Sequence, residues 1–174
     1  MTGAPAPPAP PPARRRGLLV VLGLGLLLGV AQQLLVTLCA VRGRSMEPAL
    51  VEGDRLLVWR HPRRLVRGDV VVVRSPLAPD ELLVKRVVAQ EGERVGVHEG
   101  RLVVSGFLME EPWVKPGTAL SPLEREVQLH PGQLWLLGDN RAESVDSRQL
   151  GPIDRRLLVG VVLCKVWPLG GMGR

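Results

Sequence analysis

From Gly17 to Val41 the chain runs for twenty-five residues without a charged side chain, GLLVVLGLGLLLGVAQQLLVTLCAV. As an α-helix this segment would be about 37 Å long at roughly 1.5 Å per residue. That exceeds the roughly 30 Å hydrocarbon thickness of a bilayer, so the sequence predicts a single transmembrane helix over 17–41 that spans with some tilt. Gln32 and Gln33 are polar but uncharged, and disturb a bilayer far less than ions would. A cleaved leader is the competing reading, with Arg14–Arg16 as its basic start, Leu18–Leu28 as its apolar stretch and Gly29-Val30-Ala31 as its cleavage site. Against it, the apolar run continues well past Ala31, and a mature chain beginning QQLLVTLCAV would be insoluble. An uncleaved anchor is the better reading.

The charge belongs with that anchor. The net charge is +6, from 23 Lys+Arg against 17 Asp+Glu. Residues 1–44 carry Arg14, Arg15, Arg16, Arg42 and Arg44 and no acid, which leaves 18 basic and 17 acidic side chains after them. The charge is therefore a topology signal. Three arginines before the span and two after it place the N-terminus in the cytoplasm, and a long following domain crosses largely regardless of its own charge. A nearly neutral body with one Phe and no Tyr does not support nucleic-acid binding. Two cysteines and three histidines exclude a disulfide-rich scaffold and a multi-cysteine zinc module. No HExxH, P-loop or GxGxxG is present, so neither a metal nor a cofactor is expected.

Residues 1–16 read as a disordered Pro-rich tail ending in the arginine cluster, on the cytoplasmic side. Residues 42–174 read as an extracytoplasmic domain that is mostly β. Runs rich in Val and Leu recur at Arg55–Trp59, Val70–Arg74, Leu82–Ala89, Arg94–Val97, Arg101–Val104, Leu134–Leu137 and Leu157–Val166, separated by turn residues. His98-Glu99-Gly100 looks like a hairpin loop. The proline-rich stretch within about 91–131 suggests a small cap inserted between two halves of the core.

Three segments stand out. Arg44-Ser45-Met46-Glu47-Pro48-Ala49-Leu50 follows the apolar run directly; taken alone, its serine is a turn residue. Leu82–Ala89 holds Lys85 and Arg86 in an apolar run. In a strand Lys85 shares a face with Leu83 and Val87, and Arg86 shares the other with Val84 and Val88. Lysine is rarely buried without a reason, although an edge strand can use one as protection against pairing. Gly138–Arg148 clusters polar residues after a strand, as any solvated loop does.

Together these segments resemble type I signal peptidases of the bacterial and organellar kind. Ser-Met-x-Pro-x-Leu from Ser45, Gly68-Asp69-Val70-Val71, Lys85-Arg86-Val87-Val88, and Gly138-Asp139-Asn140 with Ser144, Asp146, Ser147 and Arg148 fall in family order behind an N-terminal anchor. The match runs from Arg42 to about Leu169. The resemblance implies a signal-peptidase-like β-barrel or β-sheet catalytic domain in a membrane-bound serine endopeptidase. Its reaction would be removal of N-terminal signal peptides from exported preproteins that carry small residues before the cleaved bond. It implies Ser45 as nucleophile and Lys85 as general base. Ser144 would orient the lysine amine, with Arg86, Asp139, Asp146 and Arg148 as paired supports. Unperturbed lysine, with a pKa of roughly 10.4, is neutral in only about one molecule in 2,500 at pH 7, so the chemistry needs burial to pull that value down.

The same resemblance places the chain in the bacterial cytoplasmic (inner) membrane, catalytic domain outward, with membrane lipid as a partner and room for association with the secretion machinery. A mitochondrial inner-membrane peptidase subunit is the alternative. A self-cleaving repressor shares the Ser/Lys chemistry but lacks an anchor and has a DNA-binding domain. A membrane-anchored β domain that binds extended peptides without cutting them is the non-enzymatic alternative. Three positions depart from the family pattern. Gly43 stands where some relatives have a serine oxyanion donor, Ala49 where threonine is common, and Glu143 where asparagine usually precedes the serine matched by Ser144. His61 and His130 precede prolines and His98 sits in a turn, so a Ser-His-Asp triad is a poor rival.

Overall fold

The computed structural model describes residues 21–23, 25, 35–115, 117–123 and 125–168. The chain divides into two units, Met1–Leu35 and Val36–Arg174. In the first, residues 21–23, 25 and 35 are helical. The Pro-rich tail and most of the predicted anchor lie outside the described residues. Among the described residues no helix is long and apolar enough to cross a membrane.

The predicted anchor boundary at Val41 needs correction. Val36–Ala40 is strand β1, antiparallel to β2 (Arg55–Trp59), in register from Val36↔Trp59 to Ala40↔Arg55. An uncharged composition suits a strand on a sheet as well as a helix in lipid, so hydropathy alone runs across the change. The β-branched pair Val36-Thr37 is the local sign of the switch.

The second unit is built on two antiparallel sheets. The larger has the order β1-β2-β11-β3-β4-β9-β10, where β3 is Val70–Arg74, β4 Leu82–Gln90, β9 Gln133–Leu137, β10 Ile153–Asp154 and β11 Leu158–Trp167. The smaller has the order β7-β6-β5-β8, from β5 (Arg94–His98), β6 (Arg101–Val104), β7 (Phe107–Leu108) and β8 (Val127–Gln128). Its residues all fall between β4 and β9, where the sequence suggests an inserted cap. Glu99 and Gly100 form the β5–β6 turn with φ of 49° and 73°, the positive pair that a two-residue hairpin requires. A four-residue helix, α1 (Ser147–Leu150), follows β9 and is capped by Asp146.

Alternation of apolar residues along these strands produces three buried clusters. One joins the small sheet to β4 and β9 through Val95, Leu102, Val104, Val88, Trp135 and Leu137. A second packs Leu65 and Ile153 with Val71, Val73, Val87 and Leu136. The third gathers Val41, Met46, Leu50, Leu56, Val58 and Val72. Met46 and Leu50 are 1% and 2% exposed, so the turn carrying Ser45 is pinned by its own side chains on the C-terminal side.

The pairing of β4 sets up the site. Its residues Leu82–Arg86 pair with β3, whereas β9 joins its other edge only from Arg86↔Leu137 onward. Residues 82–85 thus keep one free edge. β1, at the end of the large sheet, also keeps one. Leu38–Arg42 and Asp80–Lys85 nevertheless line one groove of about 620 Å³. Three strands separate β1 from β4 in the sheet, so the sheet is curled to bring these edges together.

Candidate active site

Lys85 sits where β4 passes from one partner to two, opposite Val71, and is 4% exposed. The reading of this lysine as a guard against edge pairing fails, because its side chain is buried and bonded to a hydroxyl although the strand edge at 82–85 is free. Its Nζ lies 2.7 Å from Ser45 Oγ, across forty residues of sequence, at the floor of the groove. No carboxylate forms an ion pair with it among the described residues. Burial is the largest influence on its amine and holds the pKa below the ordinary 10.5. Asp146 and Asp139 pull it back up and Arg148 pushes it further down, but burial wins.

Lys165 shows why partners matter. It too interrupts an apolar strand, yet it reaches buried Asp54 at 3.4 Å and so keeps a counter-charge. The same sequence signal therefore marks two lysines, and only the one without a carboxylate partner faces a hydroxyl.

The Gly138–Arg148 segment is the frame around this pair. The Asn140 backbone N–H donates to the Ser45 carbonyl at 3.0 Å, and Asn140 Nδ2 donates to the Arg44 carbonyl at 3.1 Å. Gly138 lies so close to the Ser45 turn that a Cβ there would stand 2.5 Å from the Ser45 carbonyl oxygen. Arg86 makes two bonds to Asp139, one of 2.8 Å from Nε, and also donates to the Gly68 carbonyl at 2.7 Å. The Trp113 ring covers the same guanidinium, 4.6 Å from its centroid. Arg148 makes two bonds to Asp146, at 2.8 and 2.9 Å, and Asp146 also accepts from the Gly138 N–H at 3.0 Å. Burial pushes the Asp146 carboxyl up, but the Arg148 guanidinium and the Gly138 N–H outweigh it and hold it below the ordinary 3.8. Its contribution to stability is thus present at neutral pH and is lost as pH falls through that lowered value.

The geometry departs from the sequence expectation at Ser144. Its Oγ is buried and makes no hydrogen bond to the lysine amine; it lies against the Asp146 carboxyl and helps to hold that group's pKa down. Gly43 has φ of +77°, a conformation that favours glycine, which accounts for the missing serine there. Sequence reading also missed the Arg141–Glu111 pair. Arg141 is 2% exposed at its side chain, donates to the Gly138 carbonyl at 3.0 Å, and holds Glu111 of the inserted segment through two bonds. Nothing in the sequence links positions thirty residues apart, although an arginine among the polar residues after β9 was visible.

Removing one partner of a buried ion pair leaves the other charge uncompensated. Asp139→Ala should therefore destabilise the domain by about 3–5 kcal/mol, since the Arg86 and Asp139 side chains are 11% and 1% exposed. Thermal unfolding measures this; a Tm equal to the wild type's would show that the pair contributes little.

A hydroxyl held against a buried amine, in a groove that admits an extended chain, has the arrangement of a hydrolase with a serine nucleophile. The chain matches the family described as signal peptidase, peptidase S26, over residues 14–167. It is 32% identical over 149 residues to mitochondrial inner membrane protease subunit 2 of Schizosaccharomyces pombe, covering 82% of this chain and 71% of that protein. Over 141 residues it is 35% identical to mitochondrial inner membrane protease subunit 1 of Xenopus tropicalis, covering 79% and 72% of the two chains. Signal peptidase I V of Bacillus subtilis is 32% identical over 137 residues, covering 70% and 80%. The chain belongs to the type I signal peptidase family, and is a serine peptidase.

Proposed function

We propose that this protein is a membrane-anchored endopeptidase that cuts signal peptides from preproteins with a Ser45–Lys85 dyad. The observation that carries the reading is the 2.7 Å contact between Lys85 Nζ and Ser45 Oγ in a groove with two free strand edges. In the first step the neutral amine accepts the Ser45 proton while Oγ attacks the scissile carbonyl carbon. The resulting ammonium then protonates the leaving amine, and an acyl-enzyme remains. Lys85 next draws a proton from water as it attacks the ester, and passes that proton to Oγ as the acyl–oxygen bond breaks, which restores the Ser45 hydroxyl and the neutral amine. The Ser45 N–H makes no hydrogen bond among the described residues and is the natural donor to the oxyanion. Ser144 Oγ, buried beside Gly138 and the Asp146 carboxyl, is a hydroxyl close to the site and suited to holding the amine as it gains and loses protons.

The anchor in this reading is residues 17–35. With β1 starting at Val36, nineteen apolar or uncharged residues remain from Gly17 to Leu35. As a helix they would measure about 28 Å, close to the hydrocarbon thickness without tilt. The flanking arginines favour a domain on the outer face of a bacterial cytoplasmic membrane, and the mitochondrial inner membrane offers the same arrangement. Preproteins with small residues before the bond would pair along the free edges as an added strand.

The test is a pH–rate profile for cleavage of a purified preprotein. Because Lys85 must be neutral, kcat/KM should rise with pH through a single ionisation below the ordinary lysine value of 10.5 and then level off. A rate that falls over that range, or is flat from pH 5 to 10, would argue against a lysine base.

A further inference from the structure

The groove does not end at the dyad. From Lys85 it follows β4 back to Glu81 and Asp80, and from Val41 it follows β1 back to Leu38. Sheet order and the successive antiparallel pairings make β1 and β4 run the same way, so Leu38 and Leu82 both line the groove on the side away from the dyad. Both are exposed, at 63% and 47%. Asp80 and Glu81 are exposed beside them and form no ion pair among the described residues. The Glu81 backbone is fixed by bonds to Ala78 and Ser75, and Arg74 spends a hydrogen bond on the Pro79 carbonyl. The opposing cation in the groove, Arg42, lies three residues before Ser45, at the reactive end.

We infer that this far end is a subsite for a lysine or arginine at the fourth or fifth residue before the cleaved bond. The inference rests on the peptidase reading above and adds a specificity determinant to it. The distance sets the position. Four residues separate Lys85 from Glu81, about 13 Å at roughly 3.3 Å per residue, and an extended peptide beside them advances at the same rate. The chemistry sets the side chain. An aliphatic stem can lie on Leu38 and Leu82 while its cationic head reaches Asp80 and Glu81, which is how lysine and arginine cover apolar surface. A leucine would satisfy the first half only, and a glutamate neither. The acyl side of the substrate is the part that stays bound to Ser45 while water enters, so it is the part the groove must hold.

The test uses the full chain in detergent micelles and synthetic peptides with alanine in the three residues before the bond. Lys, Arg, Leu, Ala or Glu is placed in turn at the fourth to seventh residue before it. Lysine or arginine should exceed glutamate by about tenfold in kcat/KM at the fourth or fifth position, the size expected for two rim-exposed charge contacts. That ratio should fall toward one in Asp80→Asn/Glu81→Gln, and shrink in about 0.5 M salt. Equal cleavage of the Lys, Leu and Glu peptides, or a ratio unchanged in the double variant, overturns the subsite and leaves the peptidase reading standing. If the alanine peptide is not cut at all, the peptidase reading fails instead. Peptide Kd on Ser45→Ala then still decides the subsite, by the presence or absence of the same Lys-over-Glu preference.

Discussion

Ser45→Ala is expected to lower cleavage of a test preprotein by at least about 10³-fold, and Lys85→Ala or Lys85→Met by a comparable factor. In the proposed dyad the two residues would act as one unit, because a serine without its base is a poor nucleophile and a base without its nucleophile moves no useful proton. The double variant should therefore be scarcely slower than either single one. Stability separates chemistry from structure. Lys85 is held below its ordinary pKa by burial, so the unfolded chain binds more protons than the folded one between that lowered value and 10.5. Folding stability contributed by this group thus rises with pH across the window. Lys85→Met removes the ionisable group and keeps the stem, so it should flatten that rise and leave Tm near neutral pH unchanged or higher. Calorimetry at pH 7 and pH 9.5, beside the kinetic assay, reads both effects. Full activity in either single variant would falsify the dyad.

Gly138→Ala should also be severe, for a reason independent of protons. A Cβ at this position would stand 2.2 Å from Ser144 Oγ and 2.5 Å from the Ser45 carbonyl oxygen. The Ser144 hydroxyl can rotate away, whereas its Cβ, at 2.6 Å, cannot, and the carbonyl belongs to Ser45 itself. It can yield only by moving Ser45, which Met46 and Leu50 pin to the core from one side and the Asn140 N–H holds from the other. Displacing a reacting group by about 1 Å costs on the order of 10²-fold in rate, and overpacking of this kind typically costs about 1–3 kcal/mol. The expected result is a fall of about 10² in kcat with a smaller change in KM, and a lower Tm. Adding Ser144→Gly, which removes both Oγ and Cβ, should not restore the rate, because the contact with the Ser45 carbonyl remains. Recovery in that double variant would mean that Ser144, and not the nucleophile turn, takes the strain.

Strand positions were legible in the sequence because alternation and β-branching act locally. Arg55–Trp59, Val70–Arg74 and Arg101–Val104 are strands with the bounds their composition suggests, and β4, β5, β9 and β11 differ by a residue or so at their ends. Two-residue strands such as β7, β8 and β10 carry no local period and exist only because a neighbour offers its edge. The anchor boundary failed for a related reason. Val36–Ala40 is apolar in either setting, and only the presence of β2 beside it decides for a strand. Lys85 was conspicuous as a lysine among valines, but Lys165 was equally so, and no local rule tells a paired lysine from an unpaired one.

Local chemistry along the chain specifies the longer strands, the apolar run with its flanking arginines, and the residue types that a serine–amine pair requires. Those depend on side-chain chemistry and on neighbours a few positions away. Long-range packing sets the rest: Lys85 Nζ and Ser45 Oγ lie 2.7 Å apart, Arg141 is tied to Glu111, and Ser144 makes no bond to the lysine amine. The physical reason is the curl of the large sheet. It brings two free edges that are distant in sequence to opposite walls of one groove, and the burial that shifts the Lys85 amine exists only once that groove has formed.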